Sequence, residues 1–231
     1  APAFAQDGQA NADAEAQKGK LERIEVTARK TVESLQETPV AITSIGAVEL
    51  GEKGLSKPIK NNKALVIGGG AIGLLSGLIL SKVKNCKDIT IVDPNNNRLG
   101  ECAKYLEAHP VNPDSKSIID DYFDIVFDTV GLEITRQQAI KSIKAGGIII
   151  HIGLTQSSGS FDFRKATLQE ITFIGTYCYT NKDFEKTLSI LANKKIGSLN
   201  WIEYRELKDG SSAFKQIHDG LCAAPKIVLL V

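Results

Sequence analysis

Lys63 to Leu80 reads KALVIGGGAIGLLSGLIL. A short apolar strand pattern runs straight into Gly68-Gly69-Gly70-Ala71-Ile72-Gly73, and an apolar helix pattern carrying Leu74, Leu75, Leu78 and Ile79 follows. Glycines 68, 70 and 73 fit G-x-G-x-x-G, each for its own reason. The first permits a tight turn, the second lets backbone approach a pyrophosphate, and the third lets helix and strand pack closely. The free amides of the helix N-terminus then face the phosphates. A purely structural glycine turn is the competing reading, and the next strand decides between them. DITIVD ends in Asp93, about 20 residues after Gly73, where a carboxylate can hold both hydroxyls of an adenosine ribose. The same carboxylate would repel the 2′-phosphate of NADP, so NAD is the expected coenzyme. Arg98 belongs at the ribose edge or is a solvated helix charge.

Beyond Asp93, apolar runs alternate with helix-period segments, the mark of a parallel α/β sheet. NNNRLGECAKYL places Leu99, Cys102, Ala103 and Leu106 on one helix face, which makes Cys102 a core residue. AHPVN is a short third strand and YFDIVFDTVG a buried fourth, ending in Thr129, Val130 and Gly131. Only Pro113 to Asp121 lies between them, too short for a comfortable crossover helix. EITRQQAIKSIKAGG predicts a helix with Ile134, Ala139, Ile140 and Ile143 inward and a stop at Gly146. GIIIHIGL is the fifth strand, and its Gly153 sits where the nicotinamide end of a dinucleotide would pass, beyond the strand carboxyl ends. EITFIGTYCYT is the sixth, followed by the helix NKDFEKTLSILANKKI. The fold expected is a Rossmann-type, doubly wound parallel sheet of six strands, with the order 3-2-1-4-5-6 following by analogy with dinucleotide-binding sheets.

The residues before Lys63 read differently. Residues 1–20 are small and polar and carry too little apolar surface to repay ordering, so they form an expected disordered leader. AFA before Gln6 also has the form of the end of a secretion signal. PVAITSI could form one strand and AVELGEKGL a short helix ended by Gly54. Residues 21–55 form one segment, residues 56–62 a polar linker, residues 63–196 the nucleotide domain and residues 197–231 a C-terminal segment.

Composition removes several function classes. A net charge of +1 with interspersed signs gives no electrostatic footprint for nucleic acid or a membrane surface. No apolar run reaches the length of a membrane span. Cys86, Cys102, Cys178 and Cys222 have no CxxC spacing and read as buried free thiols. His109, His151 and His218 suit no metal motif, and His151, near a strand carboxyl end, is the one best placed for proton transfer.

Two resemblances follow from these strings. Ile24 to Leu50, IEVTARKTVESLQETPVAITSIGAVEL, resembles the start of the plug domain of TonB-dependent outer-membrane receptors. No barrel pattern follows it. KALVIGGGAIGLLSGLIL, ITIVDPNNNRL, FDIVFDTVG, KAGGIIIHIGL and FKQIHDGLCAAPKIVLLV, in that order, resemble the C-terminal half of medium-chain, zinc-type alcohol dehydrogenases. That resemblance implies pyrophosphate contacts from Gly68, Gly70, Ala71, Ile72 and Gly73 and ribose contacts from Asp93 and Arg98. Thr129, Val130, Gly131, Ile152, Gly153 and Leu154 would line the coenzyme toward its nicotinamide, with Lys226 touching the pyrophosphate. Thr129 and Val130 are equally readable as core, and Lys226 as an exposed strand-end lysine. In that family the preceding domain supplies the zinc ligands, and residues 1–62 contain neither Cys nor His, so the expectation is an NAD-binding, catalytically incomplete chain without zinc. WIEY and KIVLLV would then lack their usual partner, favouring a homodimer or a catalytic domain supplied in trans. Dehydrogenase chemistry implies the cytoplasm, whereas the leader implies export. The alternatives are an envelope-associated binding protein and a chimera joined by assembly error.

Overall fold

The computed structural model describes residues 61–231, together with the backbone of two short strands, β1 (Glu25–Ala28) and β2 (Thr31–Ser34). β1 and β2 pair antiparallel, Glu25 opposite Ser34 and Ala28 opposite Thr31. Val26, Thr27, Thr31 and Val32 are β-branched, the residue type that suits a pleated strand. Sequence reading assigned no strand here. The leader, the strand in PVAITSI, the helix in AVELGEKGL and the linker up to residue 60 lie outside the described residues.

The main sheet is built from β3 (Lys63–Ile67), β4 (Asp88–Val92), β5 (His109–Val111), β6 (Phe123–Asp128), β7 (Ile143–His151) and β8 (Thr172–Gly175). All neighbours are parallel, in the order β5-β4-β3-β6-β7-β8. Numbered within the sheet, this is 3-2-1-4-5-6, as expected. Alternate residues feed two cores. Ala64, Val66, Ile91, Ile125, Phe127 and Ile150 point to one face, and Leu65, Ile67, Val126 and Ile149 to the other. Both faces are covered, which is why these strands are almost continuously apolar.

The connecting helices are α1 (Ala71–Leu78, continued by a π turn over Ile79–Val83), α2 (Asn96–Ala103), α3 (Glu133–Ser142), α4 (Phe163–Leu168) and α5 (Asn181–Ala192). Residues 112–122 carry turns instead of a helix, as the short crossover implied. α1 and α2 meet one core, and Ala139 and Ile140 of α3 meet the other.

Three local expectations are corrected. α3 ends at Ser142, not Gly146, and Ile143 opens β7 with its side chain fully buried. Ile134 does not face inward: it is 70% exposed, because the first turn of α3 overhangs the carboxyl end of the sheet. α2 stops at Ala103, which is exposed, while Leu106 returns to the core through a turn in which its N–H donates to Cys102 O.

The C-terminal segment is also reordered. β9 (Ile202–Glu206) and β10 (Lys226–Leu230) pair parallel with each other, joined through α6 (Gly210–His218), so WIEY and KIVLLV find one another. Trp201 is buried in the same core as Ile190, Ile196 and the sheet.

Candidate functional site

The strand order reverses at β3, where β4 goes to one side and β6 to the other. The carboxyl ends of β3 and β6 therefore open a crevice at the switch point, where open α/β sheets hold ligands. Gly68 leaves β3 with φ +105°, and a Cβ there would stand 2.6 Å from Thr129 Oγ1 and 2.7 Å from Val130 Cγ2. Only glycine fits both the conformation and the space. A Cβ on Gly73 would collide with the Gly68 carbonyl, so the first turn of α1 lies hard against the strand end. Gly70 differs: a Cβ there would meet nothing within 4 Å. This position at the start of α1 faces open space, beside the first amides of the helix.

Asp93, just beyond β4, is 3% exposed, and both carboxylate oxygens are engaged. Gly69 N–H donates to Oδ2 (2.8 Å) and Asn95 N–H to Oδ1 (2.8 Å), while Arg98 Nη1 stands 3.3 Å from Oδ2. A carboxylate accepts about four hydrogen bonds, so the acid that braces the glycine turn retains accepting capacity. Arg98 is paired with Asp93 and is no mere solvated charge. Beneath the turn, Cys102 Sγ donates to Gly69 O (3.3 Å), and burial pushes its thiol up to about 12. It is core, as its helix position implied.

A cavity of about 390 Å³ runs from Gly68 and Asp93 past Pro94, Val130 and Leu132 to Ile134. The exposure of Ile134 is thus explained: it walls the crevice. Thr129 Oγ1 donates to Ile67 O (2.8 Å), fastening the end of β6 to the end of β3. Gly131, with φ +77°, and Gly153 pack backbone to backbone, so a Cβ on either would strike the other segment. Ile152 is buried and Leu154 exposed on the same lip. Gly68, Gly70, Gly73, Asp93, Arg98, Thr129, Val130, Gly131 and Gly153 are brought together here. Lys226 is exposed at the start of β10, in the separate two-stranded sheet. The C-terminal segment does meet the start of α2, where Asn95 Nδ2 donates to Gly220 O (2.6 Å).

Sequence reading missed the residues that brace the lip. Asp128, fully buried, accepts from the Val130 and Gly131 amides, and Arg136 Nη1 donates to Gly131 O (2.9 Å). Glu133 accepts from the amide and hydroxyl of Ser160, contacts that hold its carboxyl below the usual carboxylate range. The available signal was an aspartate two residues before Val130, the spacing at which Asp caps a following turn. Among the described residues no three His, Cys, Asp or Glu side chains form a metal-binding group.

The zinc-binding dehydrogenase family model matches residues 71–193, more than half of the chain. The chain belongs to the zinc-binding dehydrogenase family. The matched span begins after the plug-like stretch and does not reach it. D-xylulose reductase of Saccharomyces cerevisiae is 29% identical over 167 residues, covering 67% of this chain and 47% of the relative. The chain thus spans about half the length of the curated relatives it matches. Among solved structures, acetophenone reductase from Geotrichum candidum in complex with NAD aligns with a TM-score of 0.70 at 20% identity, covering 82% of this chain and 53% of that one. Alcohol dehydrogenase from Thermus sp. aligns with a TM-score of 0.73 at 21% identity, over 83% of this chain and 56% of that one. These likenesses share the fold of this zinc-binding dehydrogenase chain. No helix among its described residues is long and apolar enough to cross a membrane.

Proposed function

We propose that residues 63–196 bind a nicotinamide dinucleotide, NAD in preference to NADP, as the coenzyme half of an alcohol or polyol dehydrogenase. The observation that carries this is the join between glycine turn and acid: Gly69 N–H donates to Asp93 Oδ2 at the mouth of the crevice, beside the open position of Gly70. The amides of Gly70, Ala71, Ile72 and Gly73 hold the pyrophosphate, with Gly68 making room for it. Asp93 takes the adenosine ribose, and Arg98 steadies the carboxylate. Thr129, Val130, Gly131, Ile152, Gly153 and Leu154 guide the remainder of the molecule toward its nicotinamide, and Lys226 approaches the pyrophosphate from the C-terminal segment. The zinc-binding dehydrogenases named above supply the chemical class: when bound, the nicotinamide exchanges hydride with an alcohol or its carbonyl.

The chain's own contribution is binding and orientation. Residues 1–62 contain neither Cys nor His, and a catalytic region working with this chain supplies the group that polarises the alcohol. The C-terminal segment, residues 197–231, is the surface for that region or for a second copy. The test is titration of the purified chain with NADH and NADPH by calorimetry, and by energy transfer from Trp201, its one tryptophan. Saturable binding with NADH the tighter ligand is expected. Equal affinity for the two removes the NAD preference, and binding of neither removes the proposal.

A further inference from the structure

The fully buried Asp128, at the carboxyl end of β6, is the group in the lip that the proposed function does not use directly. A buried carboxylate is tolerable only when hydrogen-bonded. Its Oδ1 accepts from Val130 N–H (3.1 Å) and Gly131 N–H (2.9 Å). Its Oδ2 lies 3.1 Å from Thr135 Oγ1, whose single proton is shared with a second acceptor, Leu132 O, at 2.9 Å. Oδ2 is therefore the less saturated oxygen.

His151 stands opposite Asp128 in the register of β6 and β7, with Nε2 3.6 Å from Oδ2. That nitrogen is buried and makes no hydrogen bond. The charged groups acting on the ring are Asp128 from β6 and Arg136 from α3, while β8 contributes the Phe173 ring, 5.6 Å away between centroids. A protonated imidazole and Oδ2 need to approach by about 0.7–0.9 Å to make a charge-assisted bond. A shift of the Asp128 carboxylate toward His151 would lengthen the bonds that Oδ1 accepts from the Val130 and Gly131 amides. Those residues touch Gly68 and Gly153, the two glycines that shape the crevice.

We propose that Asp128 and His151 are positioning residues for the coenzyme: the charge on His151 sets how firmly Asp128 holds the turn at residues 129–131, and hence the affinity for the dinucleotide. This rests on the crevice being a dinucleotide site. Burial holds the His151 imidazole below its usual range, with Arg136 acting in the same sense and Asp128 against it. Neutral histidine is then the binding-competent state, and affinity falls as the solution becomes acidic.

The test is NADH affinity by calorimetry at about pH 8 and about pH 5.5, for the native chain and for His151→Gln, with the Val130 and Gly131 amide resonances followed in parallel. The native chain is expected to lose roughly three- to tenfold in affinity on acidification, the scale of one exchanged hydrogen bond. H151Q is expected to bind with the same affinity at both values. A merely structural histidine would lower affinity equally at both, so an H151Q profile parallel to the native one overturns the proposal, as does a flat native profile. Absence of NADH binding at either pH removes the dinucleotide reading instead. The clamp itself is then judged by the amides: resonances that titrate in the native chain and not in H151Q support it, and resonances that stay fixed overturn it.

Discussion

Gly73 faces the carbonyl of Gly68 so closely that a single Cβ would overlap its oxygen. Gly73→Ala must therefore push α1 away from the end of β3, an overpacking expected to cost about 1–3 kcal/mol. Gly70 makes the informative contrast, because its φ of −74° suits any residue and its Cβ direction is empty. Gly70→Ala should cost at most about 1 kcal/mol, through the weaker N-cap. Its NADH affinity should nevertheless fall by about tenfold or more, because the methyl would occupy the proposed pyrophosphate cradle. Thermal melts beside NADH titrations of both variants separate the two effects. A G70A chain that binds like the native one would show that the cradle is not a phosphate site.

Asp93 braces the glycine turn and, in the proposed site, would also repel a 2′-phosphate. Asp93→Ser removes that charge and frees Arg98, now 3.3 Å from the carboxylate, to meet the phosphate. The ratio of NADPH to NADH affinity should rise by about tenfold or more, even if both affinities drop with the lost brace. An unchanged ratio would take discrimination away from Asp93.

Burial pushes the thiols of Cys86 to about 11 and Cys102 to about 12. Thiolate is the reacting species, so neither should be labelled by an aromatic disulfide reagent at pH 8 while the chain is folded. Mass mapping after brief labelling checks this. Labelling of Cys102 in the native chain would mean that the Gly69 turn opens readily.

The lowered pKa of His151 also predicts how stability varies with pH. A group depressed in the folded state contributes its stability above the unfolded value, 6.5, and loses it as pH falls through the folded value. Urea unfolding should therefore show the native chain weakening into the acid range, with H151Q weakening less. Identical slopes for the two chains would locate the acid sensitivity elsewhere.

The C-terminal segment leaves Phe214 71% and Leu221 70% exposed. Apolar side chains of this size in open solvent favour association, so light scattering should show molecular mass rising with concentration. Phe214→Ser with Leu221→Ser should reduce it. A native chain that stays monomeric at high concentration would contradict this expectation.

The parallel strands and the position of the crevice were legible because strands buried on both faces must be continuously apolar, and because a glycine turn followed by an acid has few other uses, while the strand order came by analogy with dinucleotide-binding sheets. Periodicity misled where neighbours overrode it. Ile134 fits an inward helix position but overhangs the crevice, and Ala103 fits a buried stripe on a helix that ends too soon to bury it. The pairing of β9 with β10 was illegible, since nothing in WIEY or KIVLLV names a partner about two dozen residues away.

Local chemistry therefore determined the elements, their parallel sheet and the glycine turn, since these depend on residue type and spacing along the chain. Only the tertiary structure decided that Asp128 meets His151, that Arg98 is spent on Asp93, and that Asn95 ties the start of α2 to Gly220. Such contacts join side chains whose separation in space is set by sheet register and by where each helix stops. Neither quantity is carried by any single stretch of residues.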